Sequence, residues 1–325
     1  MSTLESTAPL LLALDFGGTK HAAALLKAGE KQWLAHRRTL SPPGANAQTD
    51  LEVMRSLIHE LLQDAQPTAI GVSFGGPVDA STGGVRLSHH VPGWENIPLA
   101  SLLSKEFGAA ASVDNDANVA ALGEYRFGAG QGYDSLMYIT ISTGVGGGWI
   151  LNGYPWRGAE GMAGEIGHTV IDPNGPLCLC GKRGCLERLT SGPYMAQQVR
   201  ETLQHSPDRG QGIRDLVGND LEAVTAQIIS QAATQGDELA RETLETAGWA
   251  LGVGIGNTAN LINPQRFVLG GGVTKAGEHF WEPVHRVARE TALPEVNFEV
   301  VPAALGDEAP LWGAVALASD LVARS

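Results

Sequence analysis

Apolar residues in this chain occur in short runs that end in glycine-rich segments. Residues 10–14 lead into residues 15–20 (DFGGTK) and a second apolar run, residues 21–26. Residues 136–141 lead into residues 142–148 (STGVGGG) and then residues 149–151 in the same layout. A strand, a glycine turn and another strand predict a β-hairpin in both places. The repeated layout also suggests an internal duplication.

Two further glycine clusters follow strand-like runs, and helical patterns lie between the strands. The clusters are residues 70–79 (IGVSFGGPVD) and residues 267–273 (FVLGGGV), the second preceding a predicted helix. Apolar positions 51, 54, 58, 61 and 62 recur at helical spacing behind Thr49 and Asp50, which are the predicted cap. The same period runs through residues 213–247 and 251–261, whereas residues 203–215 read as a polar surface loop. Alternating strands and helices predict an α/β protein.

Length and composition narrow the class of protein. A chain of 325 residues exceeds the usual limit of a single core, so two lobes are expected. No uninterrupted apolar run reaches the roughly 18 residues of a membrane span, and no secretory signal is recognised, so we expect a cytoplasmic protein without a membrane partner. A net charge of -13 argues against a nucleic-acid surface. His89 and His90 are predicted to be exposed.

One histidine and all three cysteines lie within 18 residues, as His168, Cys178, Cys180 and Cys185. One nitrogen and three thiolates make a closed tetrahedral set, which predicts a structural zinc site with no position left for water. The alternatives are free thiols beside an unrelated histidine, or a disulfide. An odd number of cysteines and the closeness of Cys178 to Cys180 weigh against the disulfide.

The glycine turns and an acidic segment are the candidates for chemistry. Backbone N–H groups of the two hairpin turns, with the hydroxyls of Thr19 and Thr143, could hold phosphate oxygens, although ordinary tight hairpins use glycine as well. Neither turn has the spacing of a Walker loop, and neither opens a helix as a dinucleotide site does. Residues 113–118 (VDNDAN) place a carboxylate between two asparagines at a strand-to-helix junction. That segment is read as an acid–base candidate or as a helix N-cap, and the two roles are compatible.

Taken together, the motifs resemble the ROK family of sugar kinases, repressors and related proteins, within the actin, Hsp70 and sugar kinase superfamily. The matching segments are residues 15–20, 75–78 (GGPV), 92–96 (PGWEN), 115–118 (NDAN), 143–148 (TGVGGG), 164–168 (GEIGH), 178–187 (CLCGKRGCLE), 270–273 (GGGV) and 312–314 (WGA). They stand in family order and span nearly the whole chain. His21, Ser73 and Ser142 depart from the common family pattern.

The resemblance implies a two-lobed α/β fold, that of the actin-like ATPases (ribonuclease H-like), with a central cleft. The small lobe would comprise residues 1–116 plus about 308–325, and the large lobe residues 117–307 with the zinc site. A homodimer or higher homo-oligomer is implied by the family alone.

The implied activity is ATP-dependent phosphorylation of the primary hydroxyl of a hexose, with glucose converted to glucose 6-phosphate. Asp116 would be the catalytic base, and Asp15 would orient Mg²⁺ bound with ATP. The residues implied for the sugar are Gly75, Asn96, Asn115, Asp116, Glu165, His168 and Glu187. Those implied for the nucleotide are Asp15, Gly17, Gly18, Thr19, Lys20, Thr143, Gly144, Gly146, Gly271 and Gly272.

Other functions within the family remain as alternatives. The sugar could be N-acetylmannosamine, N-acetylglucosamine, mannose or fructose, since small loop differences decide among hexoses. A non-catalytic sugar sensor is the second alternative. A repressor would need a DNA-binding module ahead of the kinase-like region, and 14 residues precede Asp15. Polyphosphate as donor would call for a basic track.

Overall fold

The computed structural model describes residues 8–88, 91–218 and 220–324; the expectation for His89 and His90 lies outside them. The chain divides into two compact units. Unit 1 comprises Met1–Gly132, Gly148–Ala163 and Asp307–Ser325, and unit 2 comprises Tyr133–Gly147 and Gly164–Gly306.

Strands and helices alternate along much of the chain. The strands are β1 (Leu10–Phe16), β2 (Lys20–Lys27), β3 (Ala35–Leu40), β4 (Ala69–Phe74), β5 (Val78–Asp79), β6 (Gly84–Val85), β7 (Ala110–Asn115), β8 (Leu136–Ile141), β9 (Val145–Leu151), β10 (Tyr154–Trp156), β11 (Arg266–Gly270) and β12 (Glu299–Pro302). The α-helices are α1 (Ala47–Leu62), α2 (Leu99–Phe107), α3 (Asp116–Phe127), α4 (Leu186–Thr190), α5 (Gly192–His205), α6 (Gln211–Val217), α7 (Ala226–Thr234), α8 (Glu238–Ile262), α9 (Glu278–Thr291) and α10 (Ala309–Arg324). Among the described residues, no helix combines the length and the apolar character that crossing a membrane requires.

Unit 1 is built on a mixed sheet with strand order β3-β2-β1-β4-β7. β1 pairs antiparallel with β2, so the first glycine turn joins a hairpin as predicted, and Phe16 faces His21. β1, β4 and β7 run parallel. Strands of a parallel sheet are buried on both faces, which explains why all of β4 is buried.

Helix α1 covers this sheet with the predicted apolar face, including the fully buried Ile58. Its cap differs from the prediction. Asn46 caps the helix, because its side chain accepts a hydrogen bond of 3.0 Å from the Thr49 N–H group. Asp50 is instead 2% exposed and faces the interior, which the site below explains.

Helices α3 and α10 pack so closely that only glycine fits at their contact. A Cβ atom on Gly313 would lie 1.7 Å from the Val119 carbonyl oxygen, and one on Gly71 of β4 would lie 1.8 Å from that of Ala314. This packing places residues 117–132 in unit 1, together with the segment 148–163. These compact units therefore have other bounds than the expected lobes, whose boundary at residue 116 stays a prediction.

Unit 2 contains the parallel strands β8, β11 and β12, with β11 in the middle. Ser142 donates its N–H to the Gly144 carbonyl at 2.9 Å, which closes the second glycine turn. β9 follows as the next strand of the same sheet, as the second hairpin prediction requires. β9 ends in unit 1, where Trp149 pairs with Trp156 of β10.

The helices of unit 2 differ in two places from the sequence patterns. The helical period of residues 213–247 is divided among α6, α7 and the start of α8, while residues 251–261 lie inside α8. The predicted loop 203–215 is mostly helical, since α5 continues to His205 and α6 begins at Gln211. Polar composition concealed these helices because Leu203 and Ile213 supply the only large buried side chains of this segment.

Candidate active site

Three parallel strands of unit 1 end side by side at one edge of the sheet. The register pairs Asp15 with Ser73, and Ser73 with Asp114. The Ser73 hydroxyl donates a hydrogen bond of 2.8 Å to the Asp15 carboxylate. Asp116 follows β7 directly, as the first residue of α3. The carboxyl edge of the sheet thus gathers acidic groups where α/β proteins bind ligands.

Asp116 is a partly buried carboxylate in the electrostatic field of Asp15. Its Oδ1 accepts hydrogen bonds from the Ala117 N–H at 2.8 Å and from the Asn115 side-chain amide at 3.0 Å. Burial first, and then the charge of Asp15, raise the pKa of Asp116 to about 6. Burial also raises the pKa of Asp15, against the hydrogen bond from Ser73. A carboxylate with a pKa near neutrality is suited to accept a proton at physiological pH.

Asn115 performs the capping role that the sequence left open for this segment. Its side-chain oxygen accepts from the Ala117 N–H at 3.0 Å, and its amide donates to the Gly76 carbonyl at 3.2 Å. Gly75 lies next to this junction, because a Cβ atom there would be 3.8 Å from Asp116 Oδ2. The cap and the acid–base candidate are therefore two neighbouring residues, and Asp116 is left with a carboxylate oxygen toward Gly75.

The first glycine turn is closed by its own backbone. Gly17 donates its N–H to the Lys20 carbonyl at 3.1 Å, and a Cβ atom on Gly17 would lie 2.8 Å from that oxygen. The Thr19 carbonyl accepts from the Ser41 N–H at 2.9 Å. Gly18, Thr19 and Lys20 are exposed. The turn thus presents its backbone and the side chains of Thr19 and Lys20 to solvent next to Asp15.

Asp50 organises the loop that carries Asn96. The buried Trp94 donates its indole N–H to Asp50 Oδ2 at 3.2 Å, while His21 Nε2 lies 2.9 Å from Asp50 Oδ1. The Trp94 ring also packs on Phe16 and Phe74, the last residues of β1 and β4. Asn96 itself is exposed and has a positive φ of 56°. The loop is therefore anchored below Asn96 by one buried acid and an aromatic cluster.

The second glycine turn, in unit 2, is held by a side chain from a distant segment. Glu187 Oε2 accepts the Val145 N–H at 2.9 Å, and a Cβ atom on Gly144 would be 2.6 Å from that oxygen. Thr143 is exposed, and Gly144 and Gly146 are partly buried. Glu187 lies in α4, two residues after Cys185.

The four predicted metal ligands converge. The ligand atoms of His168, Cys178, Cys180 and Cys185 all lie within 4.8 Å of one another. His168 Nδ1 is buried and has no hydrogen-bond partner among the described groups. Burial raises the pKa of the Cys185 thiol to about 12 when no cation is present. Three sulfurs and an orphaned ring nitrogen form a donor set that fits zinc.

The remaining predicted residues of unit 2 occupy two places. Glu165 is exposed and precedes the short 3₁₀ helix Ile166–His168. Gly271 has a φ of 90°, and a Cβ atom there would lie 2.3 Å from the Ile141 carbonyl oxygen at the end of β8. Gly272 is exposed and faces open space. The turn at residues 271–272 therefore brings its backbone against the strand that leads to the second glycine turn.

Comparison with known proteins identifies the family. The profile of the ROK family matches residues 11–321. The chain belongs to the ROK family. It is 32% identical to a glucokinase from Thermotoga maritima, over 96% of this chain and 98% of that protein. It is 29% identical to a xylose repressor from Caldicellulosiruptor bescii, over 84% of this chain and 69% of the repressor.

A solved ROK structure is similar over nearly the whole chain. It is a ROK family glucokinase from Streptomyces griseus in complex with glucose and AMPPNP, with a TM-score of 0.82 and 32% identity, covering 96% of this chain and 99% of the other. This likeness confirms the predicted fold class, the α/β actin-like sugar kinase fold. The resemblance drawn from the motifs is confirmed with it.

Three residues of this ROK protein support the site in ways that the sequence does not predict. The sequence predicts Asp50 as part of a helix cap and marks Ser73 only as a departure from the family pattern. Arg157 holds the buried Asp114 at 2.6 Å, next to Asn115. Asp50 pairs with His21, Ser73 with Asp15, and Arg157 with Asp114. The members of each pair are at least 29 residues apart along the chain, so no local motif links them. A polar residue near the end of an apolar strand is a signal that the sequence offers for Ser73, whereas Asp50 lies within α1.

Proposed function

We propose that the protein is an ATP-dependent hexose kinase that converts glucose to glucose 6-phosphate. The observation that carries the proposal is the Asp116 carboxylate, held by Asn115 at a helix start with its pKa raised to about 6. The glucokinase of Thermotoga maritima supports glucose as the acceptor. The complex of the Streptomyces griseus enzyme with glucose and AMPPNP supports ATP as the donor.

Asp116 is the proposed general base. It accepts the proton of the primary hydroxyl while that oxygen forms a bond to the γ-phosphorus and the bond from the γ-phosphorus to the bridging oxygen of ADP breaks. Asn115 orients the Asp116 carboxylate through the 3.0 Å hydrogen bond. Since phosphoryl transfer depends mainly on position and charge, one oriented base suffices for the proton transfer.

The proposed nucleotide residues are the two glycine turns and the turn after β11. Backbone N–H groups and the Thr19 and Thr143 hydroxyls would hold phosphate oxygens. ATP-dependent kinases use Mg²⁺, which neutralises charge on the phosphates when bound. Asp15 fits that role because its carboxylate lies at a strand end directly before the first turn. Lys20, Gly271 and Gly272 complete the proposed set.

The proposed sugar residues are those that the family resemblance implies: Gly75, Asn96, Asn115, Asp116, Glu165, His168 and Glu187. Carboxylates and amides bind sugar hydroxyls well, because they offer acceptors and donors in fixed directions. A site built to pair hydroxyls rejects an analogue that leaves its buried polar groups unpaired.

A structural zinc ion is proposed for His168, Cys178, Cys180 and Cys185. The four donor atoms within 4.8 Å of one another support it. Zinc would hold three thiolates and fix the ring of His168, leaving its other nitrogen for a sugar hydroxyl. Elemental analysis of purified protein should find one zinc per chain. Active protein free of zinc would contradict this assignment.

The test of the activity is ATP consumption over a panel of glucose, mannose, fructose, N-acetylglucosamine and N-acetylmannosamine, with product identity read by mass spectrometry. Glucose should give the highest kcat/KM and a 6-phosphate product. The Asp64→Asn variant, which changes an exposed acid, should match the wild type. A higher kcat/KM with another sugar of the panel would replace glucose as the proposed substrate. Sugar binding without turnover would indicate a sensor.

Two further expectations belong to the proposal. A reducing, cytoplasmic compartment suits a site of three thiolates, since such compartments keep thiols reduced. The homodimer or higher homo-oligomer stays a prediction from the family, and light scattering of the purified protein would decide it.

A further inference from the structure

Two other segments of unit 2 contact the second glycine turn, one on each side. On one side, the Glu187 carboxylate accepts the N–H of the buried Val145 at 2.9 Å. On the other side, Gly167 packs so closely that a Cβ atom would lie 2.1 Å from the Val145 carbonyl oxygen. Both polar groups of one residue in the turn are thus set by segments that are distant in sequence. A third contact, from the Gly192 N–H to the Ser142 carbonyl at 2.9 Å, holds the start of the turn.

The segments of Gly167 and Glu187 both carry proposed metal ligands. Gly167 directly precedes His168, and Glu187 follows Cys185 by two residues in the first turn of α4. The Leu186 N–H donates to the Thr169 carbonyl at 2.9 Å, so the segments also run together through their backbones. An ion bound by His168 and Cys185 would set the distance between the segments. The position of Val145 would follow from that distance.

We propose that Glu187 is a positioning residue for the second glycine turn, and that the metal cluster sets the geometry of this turn through Glu187 and Gly167. The inference rests on the proposed function, because the turn matters only if it holds nucleotide phosphates. The metal and Glu187 would then support nucleotide binding even when no sugar is bound. Glu187 therefore acts on the donor phosphates as well as on the acceptor sugar.

The chemistry of the contact predicts how substitutions differ. Glu187→Gln keeps an oxygen that can accept the Val145 N–H, whereas Glu187→Ala removes the acceptor and leaves a buried N–H unpaired. A neutral acceptor is weaker than a charged one. The nucleotide affinity of Glu187→Gln should therefore lie between those of Glu187→Ala and the wild type, and closer to the wild type. Glu165→Ala is the matched control, since Glu165 is a proposed sugar residue of unit 2 that is exposed.

The experiment is calorimetric titration of MgAMPPNP into the zinc-loaded protein without sugar. Glu187→Ala should weaken nucleotide binding about tenfold to a hundredfold, and Glu187→Gln by about threefold or less. Glu165→Ala should leave nucleotide binding unchanged and weaken glucose binding. Removal of zinc from the wild type, or Cys180→Ser, should weaken nucleotide binding like Glu187→Ala.

A second measurement does not need nucleotide or sugar. Hydrogen exchange of the Val145 amide should be faster in Glu187→Ala and in the zinc-free protein than in the wild type, with Glu165→Ala unchanged. Unchanged exchange and unchanged MgAMPPNP affinity in Glu187→Ala would overturn the role of Glu187. Tight nucleotide binding by the zinc-free protein would overturn the role of the metal. A wild type that binds no MgAMPPNP would instead refute the proposed function, and this inference with it.

Discussion

The two glycine turns look alike in sequence, yet different parts of the molecule hold them. The first turn closes on itself, from the Gly17 N–H to the Lys20 carbonyl, and is tied to the end of β3 through Ser41. The second turn also has a backbone hydrogen bond of its own, from the Ser142 N–H to the Gly144 carbonyl, and is supported in addition by Glu187, 42 residues away from Val145. The second turn therefore adds support from a distant side chain to its local closure.

The two units provide different kinds of residues around their glycine turns. Around the first turn, unit 1 provides one buried acid, Asp50, and two partly buried acids, Asp15 and Asp116, each with hydrogen-bond donors in the same unit. Around the second turn, unit 2 provides the segments that carry the four proposed metal ligands. We therefore expect substitutions of the acids around the first turn to affect catalysis and folding directly, and loss of the proposed metal ligands to act through the second turn.

The largest expected effect comes from an isosteric change beside the first turn. Asp116→Asn keeps the shape but removes the proton acceptor, so kcat should fall by about 10²- to 10⁴-fold while glucose affinity changes little. Steady-state kinetics with glucose measure this loss. The comparable exchange beside the second turn, Glu187→Gln, should retain far more of kcat. Equal losses in the two variants would contradict the division of roles.

Asp50→Ala should strongly destabilise unit 1. The change leaves the buried His21 and Trp94 side chains without their shared acceptor, and each buried polar group left unpaired costs about 1–3 kcal/mol. Urea unfolding followed by tryptophan fluorescence measures the difference. The control is Glu52→Ala, because Glu52 is an acid of the same helix, two residues further along, and is exposed. A midpoint shift equal to that of the control would refute the anchoring role of Asp50.

Matched glycine substitutions compare the turns themselves. In Gly17→Ala the new Cβ meets a backbone carbonyl at 2.8 Å, whereas in Gly144→Ala it meets the end of the Glu187 side chain at 2.6 Å. A side chain can move and a turn backbone cannot do so cheaply, so Gly17→Ala should lower Tm more. Gly144→Ala should weaken MgAMPPNP binding about tenfold by displacing Glu187. The reverse order of Tm losses would show that the first turn is the more adaptable one.

The smallest effect is a pH dependence that belongs to unit 1. With the pKa of Asp116 raised to about 6, kcat/KM should fall as pH drops through that value, by about tenfold per unit below it. The free energy of unfolding changes with pH in the opposite direction to kcat/KM, because the folded protein holds the proton of the Asp116 carboxyl more tightly than the unfolded chain does. Asp116 therefore lowers stability as pH rises from its unfolded pKa toward 6. Asp116→Asn should abolish both trends; an unchanged pH profile of its residual activity would assign the titration to another group.

Much of the site was predictable because it is written in short contiguous motifs. The turn residues 15–20, the cap Asn115 with the proposed base Asp116, and the proposed ligand set from His168 to Cys185 each lie within one segment of chain. Their backbone geometry follows from local rules, such as glycine in tight turns and asparagine at helix starts. The metal cluster was visible for the same reason, since its ligands gather in one stretch.

The sequence by itself determined the family, the two hairpin turns and the identities of the proposed reacting groups. The tertiary structure alone decided which distant side chains support them: Ser73 for Asp15, Asp50 for the loop of Asn96, and Glu187 for the second turn. It also decided that α3 and the segment 148–163 belong with unit 1, through contacts that only glycine permits. The physical reason is that burial and hydrogen bonding depend on which residues meet in space, and local patterns do not encode that meeting.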